Sequence, residues 1–266
     1  MNKYFKAFGL ISILCFSFFY TEKIAKFMQS KDPLYVSIMT VKDDYHKDAV
    51  DAVIENNYII PGLTGVEVNV DKSFQNMQDY GYFVESDLVF DEITPTVSLS
   101  NHRDKIVKKG NALKNSVALI VKEESLITYL EEMGIFYNVL VTTGNVERQY
   151  AHGLKINYDF EHYDEVEKSL KNNKESNSLC FVTGGNQELC KQKKKVLVEE
   201  SLHIQKSNLS SLYKSIATGD IIYLDDNLGI TNLKLLISQI QFKGLNIVYL
   251  SDLLSEARDQ VKDMKF

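Results

Sequence analysis

The feature that most constrains the fold is an alternation of strand-like and helix-like segments that starts at Asn115. Short apolar runs such as Val117–Val121 are typical of strands that are buried on both faces. The clearest helix covers ITNLKLLISQIQFKG, which ends at Gly244. Because strands and helices alternate throughout, the sequence predicts an α/β domain with a parallel sheet, either open or closed into a barrel. The predicted strands are VALIV, YNVLV, LKINYD, LCFVT, VLVEE, IIYL and NIVYL.

The N-terminus predicts a membrane anchor. Residues 7–20 carry no charge and follow the basic segment MNKYFK, and no small-residue cleavage site comes after them. We therefore expect an uncleaved signal anchor over residues 1–22, with Lys3 and Lys6 in the cytoplasm and the bulk of the chain extracytoplasmic at the cell membrane. A lipoprotein anchor at Cys15 and a buried N-terminal helix are the alternatives.

Composition shifts divide the rest of the chain. We expect a juxtamembrane helix or stalk over residues 23–45, a small α+β module over 46–110, the α/β domain over 115–257 and a C-terminal tail over 258–266. In the module, Asp71 is the expected N-cap of a helix.

Charge and motifs exclude several function classes. The net charge of −6 argues against binding to nucleic acid, which needs a cationic surface. Neither a phosphate-binding loop nor a Gly-x-Ser-x-Gly nucleophile motif occurs. The basic run Lys191–Lys195 is typical of a solvated turn, and the alternative is a contact with anionic wall polymer or lipid.

Two of the three cysteines, Cys180 and Cys190, flank the loop FVTGGNQEL. In an oxidising compartment this pair is able to form a disulfide, since Thr-Gly-Gly-Asn allows the chain to turn back. Two free thiols are the alternative. Metal binding is disfavoured because no second pair of cysteines or histidines lies nearby.

Several segments resemble the NodB-homology domain of polysaccharide deacetylases, which is carbohydrate esterase family four. They are SIATGDIIYLDDN, LLISQIQFKGLNIVYLSDLLSE and EEMGIFYNVLVTTGNVE. An anchor followed by IIPGLTGVEVNVDKSFQNMQDYG resembles the layout of membrane-anchored, deacetylase-like proteins of Firmicutes-type bacteria. The resemblance implies a distorted (β/α)7 barrel over residues 115–257.

The chain departs from the pattern of the active enzymes in this family. Those enzymes hold a divalent metal with one aspartate and two histidines, and the metal activates water. Here Lys122 and Glu123 replace the first Asp-Asp pair, and a lysine at that place repels a cation. Tyr158 replaces one histidine, so that only His162 matches a ligand position. CFVTGGNQELC replaces the Arg-Pro-Pro segment.

The last motif also lacks its proton donor, because Leu-His-Asp is replaced by Leu224-Asp225-Asp226. The resemblance therefore implies no catalytic residue and no cofactor. It leaves a possible glycan pocket made of Lys122, Tyr158, His162 and Asp225. Lys122 could replace the charge of the metal by pairing with Asp225 or Glu123. The alternative is a solvated rim.

The predicted function is that of an inactive deacetylase-like protein that binds cell-wall glycan or an envelope protein. The alternative is an active deacetylase, an amide hydrolase of N-acetylated glycan or peptidoglycan, with zinc or another divalent metal in an altered site. A purely structural envelope protein is the third hypothesis.

Overall fold

A computed structural model describes residues 23–183 and 185–258, together with Phe8, Ser17, Tyr20 and Thr21. The predicted anchor over residues 7–20 and most of the tail lie outside these residues. Among the helices of the described ranges, none is long and apolar enough to cross a membrane.

The elements are numbered here in chain order. The strands are β1 Val53–Glu55, β2 Tyr58–Ile60, β3 Gly65–Val68, β4 Phe90–Ile93, β5 Ile106–Val107, β6 Ser116–Val121, β7 Tyr137–Val141, β8 Gly153–Asn157, β9 Leu179–Phe181, β10 Val196–Val198, β11 Leu202–Ile204, β12 Ile221–Leu224 and β13 Asn246–Ile247. The helices are α1 Pro33–Val41, α2 Val70–Met77, α3 Glu124–Glu132, α4 Tyr163–Asn172, α5 Gln187–Gln192, α6 Leu209–Leu212, α7 Ile230–Phe242 and α8 Leu250–Leu254. Short 3-10 helices cover Lys42–Tyr45, Glu85–Asp87, Leu99–Asn101 and Ala112–Lys114.

The chain forms two compact units. The first contains the described residues up to Asp48 together with Gly65–Ile93, and the second contains Ala49–Thr64 and residues 94–258. The predicted module over 46–110 is therefore divided between the two units. Part of the module belongs to the second unit because its strands pair with a distant strand of that unit. β2 pairs with β5, and β5 pairs with β10, which lies far along the chain.

The first unit packs α1 and α2 with the antiparallel pair β3–β4. Its core includes Leu34 and Ile38 of α1, so that residues 33–45 belong to a folded unit and do not form a separate stalk. The N-cap of α2 is Asn69, whose side chain accepts a hydrogen bond from the Lys72 backbone N–H at 2.9 Å. The prediction of Asp71 as the cap was wrong because Asp71 already lies in the first helical turn.

The second unit contains two sheets. One has the order β11-β12-β6-β7-β8, with β13 beside β6, and all its pairs are parallel. The other has the order β1-β2-β5-β10-β9, in which only the β1–β2 pair is antiparallel. The predicted α/β class with parallel strands is confirmed.

Both sheets contribute to one apolar core. Ile120 of β6 and Ile156 of β8 come from the first sheet, and Leu179 of β9 and Val198 of β10 come from the second. On its other face, the first sheet packs against α3, α4 and α7. Since β6 and β7 are buried at every position, their mostly apolar sequence is explained by cover on both faces.

Three local predictions differ from the structure. VERQYAH, residues 146–152, is not a helix. Asn145 accepts a hydrogen bond from the Thr142 backbone N–H at 2.8 Å, and the chain makes a turn there. The sequence analysis did not predict β11, which is only three residues long. NIVYL forms strand only at Asn246–Ile247, since Leu250 already begins α8.

Candidate functional site

The predicted site residues follow the ends of three parallel strands in one sheet. Lys122 and Glu123 follow β6, Tyr158 follows β8, and Asp225 and Asp226 follow β12. β12 pairs with β6, β6 pairs with β7, and β7 pairs with β8, all in parallel. Because parallel strands end at the same edge, these residues share the edge at which open α/β sheets bind ligands.

Alternation along the strands places two of these residues above the shared core. Lys122 lies two residues beyond the buried Ile120, and Tyr158 lies two residues beyond the buried Ile156. Side chains two positions apart on a strand lie on the same face. Tyr158 also packs against this core.

Five aromatic rings, which we call the aromatic row, lie in contact along this edge. They are Phe160, Tyr158, Phe181, Tyr223 and His203. The Tyr158 ring centre lies 5.2 Å from that of Phe160 and 6.4 Å from that of Phe181. The Tyr223 ring centre lies 5.6 Å from Phe181 and 4.9 Å from His203. Phe181 is buried and the other four rings are half-buried, so the row is a partly accessible surface. Its rings come from residues of both sheets.

Lys122 meets the row at Tyr158. Its exposed ammonium group lies 5.8 Å from the centre of the Tyr158 ring, within the range of a cation–π interaction. It forms no ion pair with a carboxylate in the described ranges, so the hypothesis that Lys122 pairs with Asp225 or Glu123 was wrong. The positive charge of Lys122 is available at the surface of the row.

The Glu123 carboxylate caps a helix. Glu123 is the N-cap of α3, and its Oε1 accepts a hydrogen bond from the Ser125 hydroxyl at 3.2 Å. The Ser125 backbone N–H lies 3.5 Å from the same oxygen. An acidic side chain at this position is favoured by the unpaired N–H groups of the first helical turn.

His162 turns toward Asp159. Its Nδ1 lies 3.3 Å from Asp159 Oδ1, and its side chain is 56% exposed. Asp159 also accepts hydrogen bonds from the Thr143 backbone N–H at 3.1 Å and the Thr143 hydroxyl at 3.0 Å. The Thr143 N–H, followed by the His162 backbone N–H, lowers the pKa of Asp159 to about 2. His162 thus belongs to a loop network around Asp159.

The lowered pKa of Asp159 predicts a pH-dependent contribution to stability. Because the folded-state pKa lies below the ordinary value of 3.8, the contribution is present above pH 3.8 and is lost as the pH falls toward about 2. An Asp159→Asn variant is expected to be less stable than the parent near pH 5, and the difference should shrink near pH 2.5. Urea unfolding at both pH values measures it.

The matched control for this experiment is Asp104→Asn, which changes an exposed aspartate beside Lys105. Its effect on stability should be small at both pH values. An Asp159→Asn effect that has the same size near pH 5 and near pH 2.5 would contradict the assignment of Asp159 as the titrating group.

Asp225 pairs with a histidine on β11. His203 Nε2 lies 3.3 Å from Asp225 Oδ2, and the Asn227 backbone N–H donates to Asp225 Oδ1 at 2.9 Å. The Asn227 N–H, followed by His203, holds the pKa of Asp225 below its usual value. Asp226, the next residue, is exposed.

Tyr223 lies among acidic groups. Burial raises the pKa of its hydroxyl to about 12, and the charges of Asp226, Asp225 and Glu200 add to this shift. Glu200 lies two residues beyond the core residue Val198, in the same alternation that places Lys122 and Tyr158. The charges of three carboxylates therefore act on this end of the row.

Sequence reasoning missed Phe181, His203, Tyr223 and Asp159. The available signal was weak. Tyr223 falls within IIYL and Phe181 within LCFVT, and both runs predict only buried strands. His203 lies between two apolar residues on the short β11, and that alternation of polar and apolar residues is the one local sign of a strand.

The residues that the sequence resemblance assigns to the metal-ligand positions do not fit a divalent metal. Within the described ranges, no three His, Cys, Asp or Glu side chains are grouped so that they could hold a metal ion. His162 faces Asp159, Tyr158 packs in the row, and Lys122 brings a positive charge to the place of a carboxylate.

Cys180 and Cys190 form a disulfide, with their Cα atoms 6.0 Å apart. Cys180 lies on β9 and Cys190 on α5, and both side chains are buried. The bridge ties α5 to β9, the strand that carries Phe181.

Comparison with known proteins gives a curated relative that is similar in sequence and solved structures that are similar in fold. No family model matches the sequence. The Bacillus subtilis protein YlxY is 34% identical over 105 residues, which is 39% of this chain and 33% of that protein. The matched segment therefore spans about a third of the length of this relative.

Solved structures match over most of the chain. A CE4 family pseudoenzyme from Bacillus anthracis superposes with a TM-score of 0.56 at 15% identity, over 86% of this chain and 97% of that one. A mutant of the same protein, described as having restored enzymatic activity, gives 0.56 at 16% identity over 86% and 100% of the two chains. At this level of identity the match establishes the fold. The chain has the fold of carbohydrate esterase family four, as its sequence motifs had indicated.

Proposed function

We propose that this protein is a non-hydrolytic member of the deacetylase-fold group that binds cell-wall glycan along the aromatic row. In this proposal, residues 7–20 hold it in the membrane and the folded units lie outside the cell. The two sheets of the second unit are then the parts of a distorted (β/α)7 barrel. The observation that carries the proposal is the partly accessible row of rings at the edge where the strands end.

A row of rings suits a sugar chain because the apolar faces of pyranose rings stack on aromatic side chains. Pockets of this kind combine apolar and aromatic walls with a few polar groups that fix orientation. The hydroxyls of Tyr158 and Tyr223 supply such groups. Neither has a hydrogen-bond partner among the described residues, and both rings are half-buried.

Loss of hydrolysis follows from the charges at the former metal positions. The ammonium group of Lys122, which lies over the Tyr158 ring, would repel a divalent cation. His162, the one side chain that matches a ligand position, contacts Asp159 instead. The fold match to a CE4 pseudoenzyme supports the same conclusion. An envelope protein as the partner, and a metal-dependent deacetylase with an altered site, are the competing functions.

The test measures binding and hydrolysis on the full-length protein in detergent. We expect the parent protein to bind chito-oligosaccharide or peptidoglycan fragments. The dissociation constant of a Tyr158→Ala variant should be at least about tenfold higher, because truncating an aromatic side chain at the centre of a binding site commonly lowers the binding free energy by more than about 1.4 kcal/mol. Tyr82→Ala removes an exposed tyrosine outside the row and should bind like the parent.

Near-stoichiometric zinc in the purified protein, together with acetate release, would favour the deacetylase. Absence of glycan binding by the parent protein would refute the proposal. Circular dichroism of each variant shows whether weaker binding reflects loss of the fold.

A further inference from the structure

The two ends of the aromatic row carry opposite charges. Lys122 brings an ammonium group to the Tyr158 ring, 5.8 Å from its centre. At the other end, Asp225 lies 3.3 Å from the His203 ring, which itself lies 4.9 Å from the Tyr223 ring. Asp226 follows Asp225 directly, and the charges of Asp226, Asp225 and Glu200 raise the pKa of the Tyr223 hydroxyl further. A ligand that lies along the row meets a cation at one end and several carboxylates at the other.

The carboxylates at the Tyr223 end are only partly neutralised. Asp225 pairs with the His203 ring at 3.3 Å. For Glu200 and Asp226, no cationic partner lies within ion-pair distance in the described part of the chain. Glu200 is partly buried and Asp226 is exposed, so neither carboxylate is fully shielded from solvent. A neutral ligand covering this end would leave their charges unpaired, which is unfavourable.

We propose that the row selects an amino sugar whose nitrogen is a free, protonated amine, held over Tyr223 among Glu200, Asp225 and Asp226. This inference rests on the proposed glycan function and adds the chemical form of the sugar. A tyrosine face attracts an ammonium group and the carboxylates pair with it, whereas an acetamide group offers neither interaction.

The test compares two tetrasaccharides on the full-length protein in detergent at one salt concentration. One is the glucosamine tetramer with free amines, and the other is its fully N-acetylated form. Isothermal titration calorimetry is expected to give about tenfold or tighter binding of the free-amine form. In an Asp225→Asn/Asp226→Asn variant, the ratio of the two affinities should fall to about threefold or less. Asp104→Asn, which removes one exposed negative charge elsewhere, should keep the parent ratio.

Four outcomes are informative. Equal affinity for the two tetramers, or tighter binding of the N-acetylated form, overturns the inference and leaves the glycan function standing. Failure of both tetramers to bind overturns the glycan function as well. Displacement of the glucosamine tetramer by a lysine tetrapeptide at a similar concentration overturns the inference, because charge alone would then explain the preference. A free-amine preference that the double variant loses supports it.

Discussion

Replacing Lys195 with methionine is expected to lower the free energy of unfolding by about 3–5 kcal/mol, because it leaves a buried carboxylate without its cation. The Lys195 ammonium donates to Glu167 Oε2 at 2.9 Å, and the two side chains are only 10% and 9% exposed. Lys195 also donates to the Asn177 carbonyl at 2.6 Å. Methionine fills similar space but offers no donor to either group.

Urea unfolding of three variants measures this effect. The Lys195→Met/Glu167→Leu variant should recover much of the loss, because removing both charges avoids the unpaired carboxylate. The control is Lys191→Met, which breaks the exposed pair with Glu188 and should cost less than about 1 kcal/mol. A Lys195→Met effect as small as that of the control would show that the pair does not hold α4 against the start of β10.

An Asn138→Ala variant is expected to be destabilised by roughly 2–6 kcal/mol, since it leaves two buried backbone groups unpaired at about 1–3 kcal/mol each. Asn138 is fully buried on β7. Its side-chain amide donates to the Leu119 carbonyl at 2.8 Å, and its oxygen accepts from the Leu250 backbone N–H at 2.9 Å. One side chain therefore links β7, β6 and the first residue of α8.

Thermal and urea unfolding of the variant test this link. Asn138→Asp keeps the acceptor for Leu250 but loses the donor to Leu119, and a buried charge adds to its cost. The control is Asn227→Ala, an exposed change that leaves the Asn227 backbone N–H in place for Asp225. An Asn138→Ala effect below about 1 kcal/mol would mean that water or a local shift satisfies both backbone groups.

The strand pattern was readable from sequence where strands are long and buried. β6 and β7 are mostly apolar, and they are buried at every position. β11 was missed because three residues, only one of them buried, carry too little periodicity to distinguish a strand from a loop. The helix predicted for residues 146–152 is absent, and a turn lies at residues 142–146. The Asn145 side chain accepts a hydrogen bond from the Thr142 backbone N–H, which favours a turn over a helix.

Domain limits were less predictable because they depend on non-local pairing. Composition suggested one module over residues 46–110, yet β2 and β5 join β10 in a sheet of the second unit. Nothing local marks that Tyr58 will lie beside Ile106, since register between distant strands is decided when the sheet assembles.

The sequence by itself determined the α/β class and the resemblance to the family whose fold the chain has. It also predicted that Lys122 and Tyr158 replace metal-binding residues of the active enzymes and that Asp225 replaces their proton donor. These follow from the order of apolar runs and from the residues that end each strand. The tertiary structure alone decided that Tyr158, Phe181, Tyr223 and His203 form one row, and that His162 lies apart with Asp159. The physical reason is that the rings lie on or directly after four different strands in two sheets. Their contacts depend on strand order and register, which no stretch of the chain encodes alone.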